Sequence, residues 1–297
     1  NTRESPNENY AREMMELFTL GAGARYTEHD VREQARALTG FTNDWGDNGY
    51  ENFRFRRALH DPGRKRVFGK RGNFDWRDSC KLCLEHRDHG EFFVRKLWSY
   101  FIPVPVPAKT LSQLKRIYLR GNYRVRPVVE AILMHPLFYT GPSMVKPPVV
   151  LAAGLLRIRS RGVTDDSWVW VSENCGQRLF NPPSVAGWDD TAWLDTQTFR
   201  GRWYAAQNAT QQETLDPSDD AIVASWDAAE TAAQALATAR AFWGDPTLSA
   251  TTVAGLTAFA QKSQDAATAN WEKVPFRIMR QNALRTLIAT SPDMQTC

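Results

Sequence analysis

Proline and helix-capping residues cut this 297-residue chain into pieces of helical length, and that punctuation constrains its fold more than any other feature. Prolines 103, 105 and 107 stop the apolar stretch that ends at Phe101 and force an extended crossing. His135-Pro136 ends another helix, and Pro147-Pro148 opens the apolar segment Val149 to Ile158. Thr27 with Asp30 three residues on makes a capping box for a helix that runs through Ala35 and Leu38 to Gly40. Further helices are predicted over Trp76–His89, Gly90–Phe101, Thr110–Leu119 and Pro127–Met134, while Ser167–Leu179 reads as helix although Trp168-Val-Trp-Val171 suits a strand equally. The expected fold is mainly α: an irregular multi-helix bundle with one small β-hairpin excursion.

That excursion is expected near residues 52–70, where Phe53 and Phe55 alternate with arginines, His60-Asp-Pro-Gly supplies a turn, and Val67-Phe68 forms the return strand. Residues 41–50, rich in Gly, Asn and Asp, read as a loop before it. Beyond Tyr204 the composition shifts to Ala, Thr, Gln and Asp, with helices over roughly 218–242, 249–264 and 272–290. The expected organisation is therefore a core of residues 1–203 and a helical C-terminal part, 204–297, packed on the same core. An apolar content of 42% suits a globular chain, and no apolar run approaches the ~20 residues needed to span a bilayer.

The net charge of +4 is unevenly placed. Arg54, Arg56, Arg57, Arg64, Lys65, Arg66, Lys70 and Arg71 stand against a single Asp61, whereas residues 203–239 hold no Lys or Arg but carry Glu213, Asp216, Asp219, Asp220, Asp227 and Glu230. Solvated surfaces that complement each other or another copy of the chain would account for this; a surface for an anionic ligand is the sharper reading. No helix-turn-helix, zinc-finger or RNA-binding signature accompanies the charge, so nucleic acid is not the expected partner. Cys80 and Cys83 have knuckle spacing, but a zinc site wants a second matched pair and a haem attachment wants His after Cys83, where Leu84 stands. His86 and His89 could complete a Cys/Cys/His cluster; buried, unpaired thiols are the simpler account, and no metal site is expected.

Three groups of residues could carry chemistry. The first lies on the opening stretch, where Ser5 reads as an N-cap, Pro6 as the first helical position, Glu8 as the capping-box partner and Gly21 as the stop. Asn9, Glu13 and Glu16 then fall at i, i+4 and i+7, beside an apolar stripe of Tyr10, Met14, Leu17 and Phe18. Two carboxylates one turn apart can act as acid and base; against this, Arg12 has Glu8 and Glu16 at i±4, as on any solvated helix. The second group is His60, Asp61 and Lys65, where a turn could poise an imidazole beside an anion site or simply hold the hairpin in water. The third is Gln177, Asn181 and Trp188, in an aperiodic Pro- and Gly-rich loop with Asp189, Asp190 and Trp193 nearby. Trp with carboxylates suits sugar stacking, and a Trp plugging the core suits the same sequence. Phosphate-binding loops, nucleophile elbows, zinc-protease helices and dinucleotide fingerprints are absent from the sequence.

The segments Ser5–Gly21, Tyr26–Gly40, His60–Lys65, Gly176-Gln177 and Asn181–Trp188 occur in the order in which similar motifs occur in the bacterial family known as domain of unknown function 1800, which this chain resembles. The likeness spans about Asn7 to Arg202 and resumes at Ala289–Gln295, which looks like the family's closing helix. The resemblance implies an exported protein, periplasmic, cell-surface or extracellular, with a further helical region upstream of the Asn-Glu-Asn-Tyr motif. The chain is accordingly expected to be the C-terminal part of a longer or processed protein. Relatives often carry His where Phe18 stands, which weakens a metal reading of this helix. The resemblance assigns no cofactor and no reaction. The expected function is action on an envelope polymer such as a polysaccharide, with Glu13, Glu16 and His60 catalytic and Asn9, Arg12, Asp61, Lys65, Gln177, Asn181 and Trp188 binding; the alternative is a non-enzymatic binding or assembly module that contacts a protein partner or another copy of itself.

Overall fold

The computed structural model describes residues 1–47 and 49–297, apart from the side chain of Trp271. Fifteen α-helices and two small two-stranded antiparallel sheets appear among the described residues, so the chain is mainly α, as its punctuation predicts. It divides into two units, Asn1–Pro142 and Ser143–Cys297.

The first unit opens with α1, Glu8–Glu13, whose N-cap is Asn7: its side chain accepts from the backbone N–H of Tyr10 at 2.9 Å. Ser5, the expected cap, instead lies in an isolated bridge with Thr2. After α1 the backbone widens into a π-helical segment, Met14–Thr19, closed by the Leu20 N–H on the Met15 carbonyl at 2.7 Å. Gly21 does end this element; its φ of +96° and the Phe92 ring, 2.8 Å from where a Cβ would stand, exclude a side chain. The Thr27–Asp30 capping box starts α2, Glu28–Ala37, as expected.

The β structure departs from expectation. Strand β1, Phe41–Gly46, occupies the predicted loop and pairs with β2, Gly49–Phe55, in a register from Phe41↔Phe55 to Gly46↔Gly49. Phe41 stacks on Phe53 and Trp45 meets Tyr50 edge-on across the strands, so aromatic cross-strand pairs override the loop-like Asn and Asp content. The expected return strand belongs to a second hairpin, β3, Lys65–Val67, with β4, Lys70–Gly72. Its two-residue turn, Phe68-Gly69, has positive φ at both positions, the primed geometry that suits the twist of a tight hairpin.

Helices α3, Trp76–Leu84, and α4, His89–Ser99, follow, then α5, Ala108–Arg120, α6, Arg126–Leu133, and the short α7, Pro136–Thr140. One core of this unit gathers Ala11, Met15, Val31, Ala35, Leu38 and Cys83. Another gathers Val94, Trp98, Leu111, Leu114, Val128 and Ile132.

The second unit contains α8, Pro148–Ile158, α9, Ser167–Asn174, α10, Thr196–Thr210, α11, Asp220–Ser225, α12, Ala232–Phe242, α13, Ala250–Ala266, α14, Asn270–Ala289, and α15, Pro292–Gln295. The single helix expected over 218–242 is two, because Thr231 and Gln234 form a capping box that restarts it. The change of composition near residue 203 falls inside α10. Residues from both sides of it, such as Leu151, Leu155 and Trp168 with Leu236, Trp243 and Leu284, form one core. Alanine content marks close helix packing in this unit: Ala205, Ala206, Ala209, Ala235 and Ala239 are fully buried.

Candidate functional site

In the first unit, α2 positions most of the polar side chains through two acidic groups, Asp30 and Glu33, and the guanidinium of Arg36. Asp30 accepts from the N–H and hydroxyl of Thr27 at 2.9 and 2.8 Å, and its other oxygen accepts from the N–H of Phe68 at 2.7 Å. Glu33 accepts from the Arg66 N–H at 2.8 Å and pairs with Arg36. Arg36 in turn holds Asp61 through Nε at 2.7 Å, so the hairpin β3–β4 and the turn before it are tied to one helix.

His60, Asp61 and Lys65 are thereby brought together, as a tether and not as an anion site. His60 is buried; its Nδ1 lies 3.0 Å from the Thr39 carbonyl, which requires the Nδ1–H tautomer. Partial burial opposes ionisation of Asp61, but Arg36 and the Gly63 N–H outweigh it and hold the carboxyl below its ordinary range. Lys65, expected at the surface, is 2% exposed, and its ammonium donates to the carbonyls of Asp61 at 2.6 Å and Gly63 at 2.9 Å. Burial pushes its pKa down. The sequence reading missed Arg36 and Thr39 in this cluster; the i, i+3 spacing of Glu33 and Arg36 was the only local signal.

The opening helix is arranged differently from its α-spaced reading. The wider turn from Met14 takes Glu16 out of the expected line, while Asn9 and Glu13 keep their i, i+4 spacing on α1. Asn9 is exposed and Glu13 and Glu16 are half-buried; their side chains make no hydrogen bond among the described residues. Arg12 pairs with Glu28 at 2.6 Å, not with Glu8 or Glu16. Burial first, then the nearby Glu16 carboxylate, pushes the Tyr26 phenol up. The open carbonyls at the end of the π segment are taken by α4: His89 Nδ1 lies 2.8 Å from the Thr19 carbonyl and Lys96 donates to Leu17 at 2.9 Å.

A groove of about 650 Å³ does exist in this unit, elsewhere. It lies between the start of α2, the β3–β4 turn and the α3–α4 junction, and is lined by Arg25, His29, Arg66, Lys70, His86 and Arg87 among others. The ring of His86 packs against Phe68 with centroids 4.7 Å apart, while its Nε2 faces the Arg25 carbonyl at 3.3 Å and its Nδ1 accepts from the Asp88 N–H at 3.3 Å. Arg25 pairs with Asp88 at 3.1 Å and Lys70 with Glu85 at 2.7 Å. Of the two lining carboxylates, Asp30 is thus occupied by backbone donors and Glu85 by Lys70. Arg66 and Arg87 are exposed, and neither guanidinium has an ion-pair or hydrogen-bond partner among the described residues. Two open guanidinium forks on one groove are suited to carboxylate, sulfate or phosphate oxygens.

Cys83 faces α2, with the Gln34 amide 3.3 Å from its sulfur, and burial pushes the thiol up to about 12. Both ring nitrogens of His86 and of His89 are occupied by protein groups, so neither is presented to a metal beside the thiols. No group of three His, Cys, Asp or Glu side chains placed to hold a metal ion occurs among the described residues.

The remaining predicted residues belong to the second unit. Gln177 is buried and its Oε1 accepts from the Val149 N–H at 3.2 Å, a cap on the start of α8. Asn181 is exposed on the loop. Trp188 is half-buried and its indole N–H is buried without an acceptor among the described residues. Arg202 is fully buried: Nε donates to the Trp193 carbonyl at 2.7 Å, and its two terminal nitrogens to Gln295 at 3.1 Å and the Lys146 carbonyl at 2.8 Å.

The family model described as protein of unknown function (DUF1800) matches residues 1–296, and the chain belongs to that family. No curated protein and no solved structure matches it. No helix among the described residues is long and apolar enough to cross a membrane.

Proposed function

We propose that this chain is a binding module of the bacterial cell envelope or its surroundings, and that the groove bearing Arg66 and Arg87 takes an anionic polysaccharide. The observation that supports this reading is the pair of open guanidinium groups on a 650 Å³ groove whose two lining carboxylates are already occupied. Export is proposed from the family resemblance alone. A polymer with one anion per residue offers each fork a bidentate partner, and its rigid backbone lowers the entropic cost of engaging both.

The experiment is binding of polygalacturonate, with neutral dextran as control. The wild-type chain is expected to retain the acidic polymer only. Arg66→Gln with Arg87→Gln is expected to weaken binding about tenfold, or ~1.4 kcal/mol, without changing thermal stability. Equal affinity for dextran, or unchanged affinity in the double variant, would contradict the reading.

The catalytic alternative keeps Glu13, Glu16 and His60 as its acid and base groups. It is favoured by the half-buried Glu16 carboxylate beside Tyr26 and Arg12, which no hydrogen bond occupies among the described residues. It predicts turnover of the polymer that disappears in Glu13→Gln and Glu16→Gln, whereas the binding reading predicts retention without cleavage.

A further inference from the structure

The second unit holds a cavity of about 620 Å³ between α10, the turn at Gln211–Glu213, α13 and α14, within the size range of small-molecule sites. Its charged lining is satisfied internally. Arg159, from the end of α8, holds the Glu213 carboxylate through two nitrogens at 3.1 and 2.5 Å. Arg285 donates from one terminal nitrogen to the Glu213 carbonyl at 2.9 Å and lies over the Phe242 ring at 4.1 Å. Asn282 is likewise occupied, exchanging two hydrogen bonds with the backbone of Leu215 at 3.0 and 2.7 Å.

What the cavity leaves open is neutral. The side-chain amides of Gln207, Asn208 and Gln211 line it and make no hydrogen bond among the described residues. Trp203 and Phe259 supply aromatic surface on the same wall set. Amides that donate and accept at once match vicinal hydroxyls, and aromatic rings cover the C–H faces of a pyranose.

We infer that this cavity binds a neutral sugar, as a short oligosaccharide or the end of a longer glycan, through Trp203, Gln207 and Asn208. This site is separate from the anion groove and does not depend on it. Salt has little influence on it, because no net charge is exchanged on binding.

The test is ligand-observed NMR and calorimetry on the full chain with maltotetraose and chitotetraose, and with tetraalanine as a peptide probe. At least one of the two sugars is expected to bind, with affinity changing less than twofold between low and high salt. Gln207→Ala, on an exposed position, and Asn208→Ala should each weaken it several-fold, and Trp203→Ala should abolish it while Trp203→Phe retains part of it. Polygalacturonate binding should be unchanged in all four variants, which separates failure here from failure of the groove. The inference is overturned if neither sugar binds, if the peptide binds in their place, or if Gln207→Ala and Asn208→Ala leave sugar affinity unaltered.

Discussion

Asp30 illustrates how one side chain can serve two elements. It caps α2 through Thr27 and simultaneously pins the β3–β4 turn through the Phe68 N–H, at a residue whose φ of +48° is costly for an aromatic side chain. Asp30→Ala removes the cap and leaves the Phe68 N–H without its acceptor, and is expected to cost about 2–3 kcal/mol of stability, read by denaturant unfolding. His89 carries a pH dependence. Burial pushes its pKa below the ordinary 6.5, opposed in part by the Thr19 carbonyl, and its Nε2 sits 3.0 Å from the Tyr118 hydroxyl. The unfolded chain therefore takes up this proton at a higher pH than the folded one. The stability His89 contributes is complete above about pH 6.5 and is lost as pH falls through the folded-state value. Thermal melts across this range should show the midpoint falling with acid, and His89→Gln should flatten that slope; an identical slope in the variant would show that other groups cause it.

At the scale of elements, the helices were legible because their signals are local. Thr27 with Asp30 starts α2, Pro148 starts α8, and Gly21 stops the opening helix. The first sheet was misread for an equally physical reason: Asn43, Asp44 and Asp47 resemble a loop, while the pairs that make it a sheet, Phe41 with Phe53 and Trp45 with Tyr50, join residues on different strands. The π segment was illegible too, since Met14–Thr19 carries no residue that disfavours an ordinary α-helix. In the second unit Arg202 ties α10 to the segment before α8 and to α15 by three hydrogen bonds to neutral acceptors, with no carboxylate among them. Arg202→Leu would leave those acceptors buried and unpaired, and is expected to cost roughly 3–5 kcal/mol. Loss of less than about 1 kcal/mol would mean that water replaces the guanidinium.

For the molecule as a whole, uneven charge was the most useful guide to a site, and an incomplete one. Arg66 and Lys70 belong to the basic run seen in the sequence, yet Arg25 and Arg87 reach the same groove from segments with no such excess, through contacts that only the fold creates. Conversely Lys65, in the middle of the run, is withdrawn from the surface to hold a turn. The residues expected to share one pocket fall into both units: Asn9, Arg12, Glu13, Glu16, His60, Asp61 and Lys65 in the first, Gln177, Asn181 and Trp188 in the second. None of them lines either large cavity. Local pattern could nominate these side chains; it could not rank them by what the backbone leaves open.

The salt dependence of polygalacturonate affinity, measured side by side for the wild-type chain and for Arg66→Gln with Arg87→Gln, tests the proposed groove most directly. If the two guanidinium groups meet the polymer's carboxylates, the logarithm of the association constant should fall linearly with the logarithm of salt concentration, and the slope should be shallower by about two in the double variant. Parallel lines of equal slope and height for the two proteins would contradict it.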